Sequence, residues 1–115
     1  MTGYGVNVTI TPPTAFPATL GAGATYNLGV FPFPGKGLTL AANLSQNSTL
    51  TIQRYADAAG ALPVGAAITA TTTGGTAGYV AVNDGLPALY AQVSITNNGG
   101  TTATVTGAVL NCQLG

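Results

Sequence analysis

The fold is decided by one stretch, Ser48-Thr49-Leu50-Thr51-Ile52-Gln53-Arg54-Tyr55, in which polar and apolar residues alternate. Successive side chains of a β-strand point to opposite faces, so Leu50, Ile52 and Arg54 share one face while the Thr and Gln residues share the other. This period of two predicts a strand that is buried on one side only.

The same alternation recurs on both sides of this stretch. It covers residues 6–10, 38–40, 79–82, 89–96 and 103–109, with weaker candidates at 25–30 and around Ile68. Turn-forming residues separate these segments at 57–60, 83–85 and 97–100. We therefore predict an all-β chain, a single antiparallel β-sandwich or jelly roll of about seven to eight short strands. The last two segments are predicted to form a hairpin across the turn 97–100.

The first third of the chain differs from the rest because it holds five of the seven prolines. Proline lacks the N–H that a sheet ladder requires, and it forces the preceding residue into extended geometry. We predict a strand plus an extended, Pro/Gly-rich, arm-like segment over residues 1–37. Residues 38–115 are predicted to form the sandwich core, and the two parts together make one domain.

Charged side chains are nearly absent. They make up 3% of the 115 residues, compared with about 25% in a typical domain, and they comprise only Lys36, Arg54, Asp57 and Asp84. Two cations cannot neutralise the phosphates of a nucleic acid or an anionic membrane surface, so we expect neither partner. An uncharged surface suits contact with another protein, and a freely soluble uncharged domain is the alternative.

The residues needed for catalysis are missing as well. The chain has no His and no Glu, which removes the usual general bases and the commonest metal ligand. Asp57 and Asp84 both lie in turn sequences, where backbone capping accounts for them. We therefore predict no enzyme activity, no cofactor, no metal and no small-molecule substrate. The single cysteine, Cys112, is expected to be a small core residue.

No targeting signal is visible in the sequence. The first residues carry neither a positive region nor an apolar run, and no apolar run approaches the roughly 18 residues that span a bilayer. We expect the chain to fold without export.

Aromatic residues are concentrated in the first third, at Tyr4, Phe16, Tyr26, Phe31 and Phe33. One interpretation is that the three Phe rings close the open ends of the sandwich. The other is that the segment is an arm that binds a neighbouring protein through aromatic anchors. Proline has already stiffened this segment, so ordering it on binding costs little entropy. On the second interpretation, the candidate protein-interaction residues are Tyr4, Phe16, Phe31, Phe33 and Lys36.

Two stretches carry a family resemblance. Residues 48–60, followed by Leu62-Pro63-Val64-Gly65, resemble small structural proteins of tailed-bacteriophage virions, and so do residues 91–100. Within that family the likeness is to head cement, or decoration, proteins. It implies a β-rich and often trimeric protein that sits on the virion surface across junctions of the major capsid protein. It also implies folding in the host cytoplasm, with which the missing disulfide agrees.

An alternative function is a receptor- or glycan-binding β-sandwich domain of a phage tail fibre or other adhesin. Carbohydrate-binding modules use aromatic platforms but favour Trp, which this chain lacks. A third hypothesis is a pilus-type or surface-layer subunit, and the absence of an export signal counts against it.

Overall fold

The computed structural model describes residues 6–33, 37–84, 86 and 88–114. These residues confirm the predicted all-β sandwich. The strands are β1 (Val6–Thr9), β2 (Thr19–Leu20), β3 (Thr25–Pro32), β4 (Gly37–Leu44), β5 (Ser48–Tyr55), β6 (Pro63–Thr72), β7 (Gly78–Val82), β8 (Tyr90–Asn97) and β9 (Ala103–Leu114). Within this part of the chain, no helix is long and apolar enough to cross a membrane.

The strands form two antiparallel sheets. Sheet I has the order β1-β9-β4-β7, with β2 also pairing with β9, and sheet II has the order β3-β8-β5-β6. The deciding stretch is β5, a central strand of sheet II, and it shows strict alternation of buried and half-buried residues. Strand β8 beside it and β4 in sheet I follow nearly the same pattern. The sequence period therefore corresponds to real inner and outer faces.

The core lies between the two inner faces. Its fully buried large side chains are Leu28, Leu38, Leu40, Leu44, Leu50, Ile52, Val93, Ile95 and Leu110. Burying one such side chain stabilises a fold by roughly 2 kcal/mol. Packing between the sheets is therefore the main source of stability, and it leaves alternate residues of every central strand on the outer faces.

The first third of the chain does not form an arm over its described residues. Strand β1 pairs with β9 in sheet I, and β3 pairs with β8 in sheet II. The arm-like interpretation is wrong for residues 10–33, because their apolar side chains pack in or against the core. The strands predicted at 6–10 and 25–30 are present as β1 and β3. Residues 1–5 and 34–36 lie outside the described part.

The proline-rich segment between β1 and β3 has a structural role at the edge of sheet II. The Thr14 N–H donates to the Leu28 carbonyl at 3.2 Å, and the Tyr26 hydroxyl donates to the Ala15 carbonyl at 2.9 Å. A Cβ built on Gly29 would approach the Cβ of Pro13 at 3.2 Å. The segment thus lies along β3, an edge strand of sheet II, and its three prolines lack the N–H that a further strand would need.

The predicted hairpin of β8 and β9 is also wrong. Strand β8 pairs with β3 and β5, whereas β9 pairs with β1, β2 and β4, so the two strands belong to opposite sheets. Each strand has one apolar face, and placing the two strands in facing sheets buries both faces against each other. The turn that follows β8 therefore crosses the gap of about 10 Å between the sheets. It does not join two hydrogen-bonded strands of one sheet.

Asn97 holds this crossing in place. Its side chain is fully buried, and its Nδ2 donates to the carbonyls of Leu20 and Thr101, both at 2.9 Å. Its Oδ1 accepts from the Gly99 N–H at 2.8 Å. A buried amide requires such partners, so Asn97 ties β2 and the crossing turn to the end of β8.

We expect the substitution Asn97→Ala to lower the free energy of unfolding by about 2 kcal/mol, because it leaves buried carbonyls without a hydrogen-bond donor. Asn98→Ala is the matched control. Asn98 is exposed and donates to the Thr49 hydroxyl, so its loss should cost clearly less. Urea denaturation of both variants measures the difference. Equal losses would contradict a special role for Asn97.

Candidate functional site

The outer face of sheet II carries two rows of small polar side chains. The strand register places Thr25, Thr96, Thr49 and Thr71 side by side across β3, β8, β5 and β6. Two residues further along each strand, it places Asn27, Ser94, Thr51 and Thr69 in a second row. We call these eight residues the threonine face. Neighbouring residues in a row are about 5 Å apart, so the face is a regular array of hydroxyl and methyl groups.

Hydrogen bonds fix part of the first row. The hydroxyls of Thr25 and Thr96 lie 2.8 Å apart, and the Asn98 amide donates to the Thr49 hydroxyl at 2.8 Å. The hydroxyls of Thr51, Thr69 and Ser94 in the second row make no side-chain hydrogen bond to another described residue. The second row therefore retains donors and acceptors for a partner.

The uncharged surface continues beyond the threonine face. Gln92 and Gln53 form the next row, beside Val30. The last row runs across all four strands as Pro32, Tyr90, Tyr55 and Pro63. None of the residues in these four rows is charged, so the whole outer face of sheet II is neutral.

Arg54 is the one charged residue of β5, and it points inward. The residue is 4% exposed, and its guanidinium makes two hydrogen bonds to the Asp84 carboxylate, from Nη1 to Oδ1 at 2.6 Å and from Nη2 to Oδ2 at 2.9 Å. The Asp84 side chain is 50% exposed and also accepts from the Leu86 N–H at 3.0 Å. The bonds from Arg54 and Leu86 hold the pKa of Asp84 well below its usual range.

The turn roles predicted for the two carboxylates are confirmed. Asp57 accepts from the N–H groups of Ala61 and Leu62, at 3.1 and 2.9 Å. Asp84 caps Leu86 in the same manner. The sequence did not reveal that Asp84 also pairs with Arg54, which lies thirty residues earlier. The only hint was an arginine on the apolar face of β5, where an unpaired charge is costly.

The three predicted interaction residues that the structure describes do not form one exposed site. Phe31 and Phe33 are 3% and 6% exposed and belong to the core, while Phe16 is half-buried and packs against it. Their burial favours the interpretation in which these rings fill the sandwich, and it leaves Phe31 and Phe33 almost no surface for a partner. Tyr4 and Lys36 lie outside the described residues.

Cys112 is 2% exposed on the inner side of β9, as expected for a core residue. Burial raises the pKa of its thiol, which disfavours the reactive thiolate. Among the described residues, no three of the types His, Cys, Asp and Glu come together in a group that would hold a metal ion.

No family model and no curated protein sequence matches the chain. Among solved structures, the chain is similar to one described as the crystal structure of PirA, with 12% sequence identity and a TM-score of 0.48. The similarity covers 98% of this chain and 95% of that one. At this level it carries no argument about function.

We expect Phe31→Ala to lower the free energy of unfolding by about 4 kcal/mol, because it empties a ring-sized space in the core. Phe16→Ala should cost clearly less, since Phe16 is only half-buried. Thermal and urea denaturation report both losses. A Phe31→Ala variant of unchanged stability that had lost a binding partner would restore the anchor interpretation.

The ion pair predicts a dependence of stability on pH. Because the folded-state pKa of Asp84 lies below the unfolded value, near 4, its contribution is complete above about pH 5 and is lost as the pH falls toward the folded pKa. Asp84→Asn should remove this part of the acid-dependent loss and should also be less stable at pH 7, because it leaves Arg54 buried without its partner.

Urea denaturation at pH 7, 5 and 3 tests this. Asp57→Asn is the matched control, because it removes a turn carboxylate but keeps the ion pair. A steep acid-dependent loss that persists in Asp84→Asn would mean that other groups dominate the response.

Proposed function

We propose that the chain is a non-enzymatic virion structural protein, a cement or decoration protein that binds across junctions of major capsid subunits and stabilises the head. The observation that supports this most directly is the threonine face and its continuation, a neutral surface four strands wide. Interface cores are depleted in charged residues, and this surface has none.

The chemistry of the face suits a seam between subunits. Each Thr offers a methyl group for apolar contact and a hydroxyl that both donates and accepts, so it satisfies backbone groups on either side of a junction. Because no charge takes part, attachment by this face should change little between low and physiological salt.

The size of the face favours several copies acting together. Four rows on four strands cover about 400 Å², whereas a stable interface buries about 800 Å² on each partner. One copy would therefore attach weakly. A homotrimer presents three such faces at once, and the second and third contacts then form at high effective concentration. The area favours more than one copy, and we propose a trimer because the cement proteins that the sequence resembles are often trimeric.

The proposed location and partners of the protein follow from the proposed role as a cement protein. The chain is made in the host cytoplasm and is incorporated on the capsid surface, with the major capsid protein and further copies of itself as partners. No nucleic acid, membrane or small-molecule substrate is part of this function.

Mass spectrometry of purified virions, with heads and tails separated, tests the location. The chain should appear in heads at a fixed ratio to the major capsid protein. Adding purified chain to heads that lack it should restore that ratio and raise the temperature at which the heads rupture. Recovery in tails alone, or no binding to heads, would reject the proposal.

We expect Thr51→Lys to weaken attachment to heads about tenfold or more, because it buries an unpaired ammonium in the centre of the contact. Ala81→Lys is the matched control: it places the same charge at an exposed position on the outer face of sheet I. Sedimentation of heads with each variant measures the bound fraction. Equal binding of Thr51→Lys and the unmodified chain would rule out the threonine face as the contact.

A further inference from the structure

The outer face of sheet I carries two shallow depressions along its internal strand β4. Strand β4 runs along its middle, and the outward residues of β4 include the small Gly37, Thr39 and Ala41. Two shallow depressions of about 370 and 250 Å³ lie along β4 between β9 and β7. Their lining residues on β4 run from Gly37 to Asn43, a length of about 20 Å, since each strand residue advances the chain by about 3.4 Å. We call this pair of depressions the β4 groove.

One half of the β4 groove carries amide and hydroxyl side chains, and none of its described lining residues is charged. Its wall contains Asn111 and Gln113 from β9 and Asn83 after β7, with Thr39 between them. The Thr9 hydroxyl donates to Oδ1 of Asn111 at 3.2 Å, which orients this amide. The Nδ2 of Asn111 has no hydrogen-bond partner among the described residues and is available as a donor.

The other half is apolar. The register places Val109, Ala41 and Tyr79 side by side across β9, β4 and β7. Tyr79 is 67% exposed and Val109 is 37% exposed, so two large apolar side chains face water beside a floor of Ala and Gly. Apolar surface left exposed next to a depression is typical of a binding site.

We propose that the β4 groove binds a neutral oligosaccharide chain. Amide side chains match sugar hydroxyls because each amide both donates and accepts, and the Tyr79 ring matches the apolar C–H face of a pyranose. No described residue that lines the groove is charged, so these residues favour a neutral sugar over a sulfated or acidic one.

An extended peptide fits the groove less well. Peptides bound as strands gain their affinity from main-chain hydrogen bonds to a sheet edge. Strand β4 is an internal strand, paired with β7 on one side and β9 on the other, so its backbone groups are already used. A sugar needs side-chain groups rather than a free strand edge, and the groove supplies these.

This binding activity is separate from the proposed attachment to capsids. The two surfaces lie on opposite sheets, so one copy presents the β4 groove while its threonine face is covered. The shallow groove predicts weak binding by a single copy, which several copies on one particle would strengthen.

Titration of the ¹⁵N-labelled chain with neutral hexasaccharides of glucose and of N-acetylglucosamine, followed by NMR, tests the inference. Amide signals of Thr39, Ala41 and Asn111 should shift, and those of Thr51 and Ser94 should not. Polygalacturonate is the acidic comparison and should leave all of them in place. Shifts confined to sheet II, shifts with polygalacturonate alone, or no shift with any neutral chain would overturn the inference.

Two substitutions test the groove residues, one by removing a side chain and one by enlarging a side chain. Tyr79→Ala removes an exposed ring, and Ala41→Leu fills the floor; each should weaken binding at least about tenfold. Tyr90→Ala and Thr51→Lys on sheet II are the controls and should bind as the unmodified chain does. Because Thr51→Lys separates capsid attachment from sugar binding, failure of either proposal is recognised independently of the other. Unchanged binding by both groove variants would reject the site.

Discussion

Packing between the inner faces of the two sheets positions the other features of the described part of the protein. It uses every second residue of the central strands, including Leu40, Leu50 and Ile95, and so fixes which residues remain outside. The same packing draws Phe31 and Phe33 inward and makes the proline-rich first third part of the sandwich. A segment that resembles an arm by composition is therefore structural over its described residues.

The shortage of charge determines what the outside can do. Of the four charged residues, Arg54 is buried against Asp84, and Asp57 is engaged with its own turn. The described residues of the two outer faces therefore leave contacts that salt should screen little. Such surfaces recognise shape, hydroxyl groups and apolar contact. These properties are common to the capsid contact and the sugar site that we propose.

The two outer faces differ in shape and in the side chains that they present. The face of sheet II is broad and lined by hydroxyls, which suits a wide contact with a protein seam. The face of sheet I has two shallow depressions along β4, where Gly37, Thr39 and Ala41 are small, and the register places the exposed Tyr79 beside Ala41. On our two proposals, a single small sandwich uses one surface for assembly and the other for a ligand.

The sequence by itself determined the strands with strict alternation, above all β5 and β8, and the turn at Asp57, because side-chain parity and turn chemistry are local properties. It also indicated that Cys112 is a core residue. Only the tertiary structure decided that β8 and β9 enter opposite sheets, that Arg54 meets Asp84, and that Thr residues from four strands form one face. These features depend on which strands become neighbours, and that choice is made by the burial of apolar faces from distant parts of the chain rather than by any local pattern.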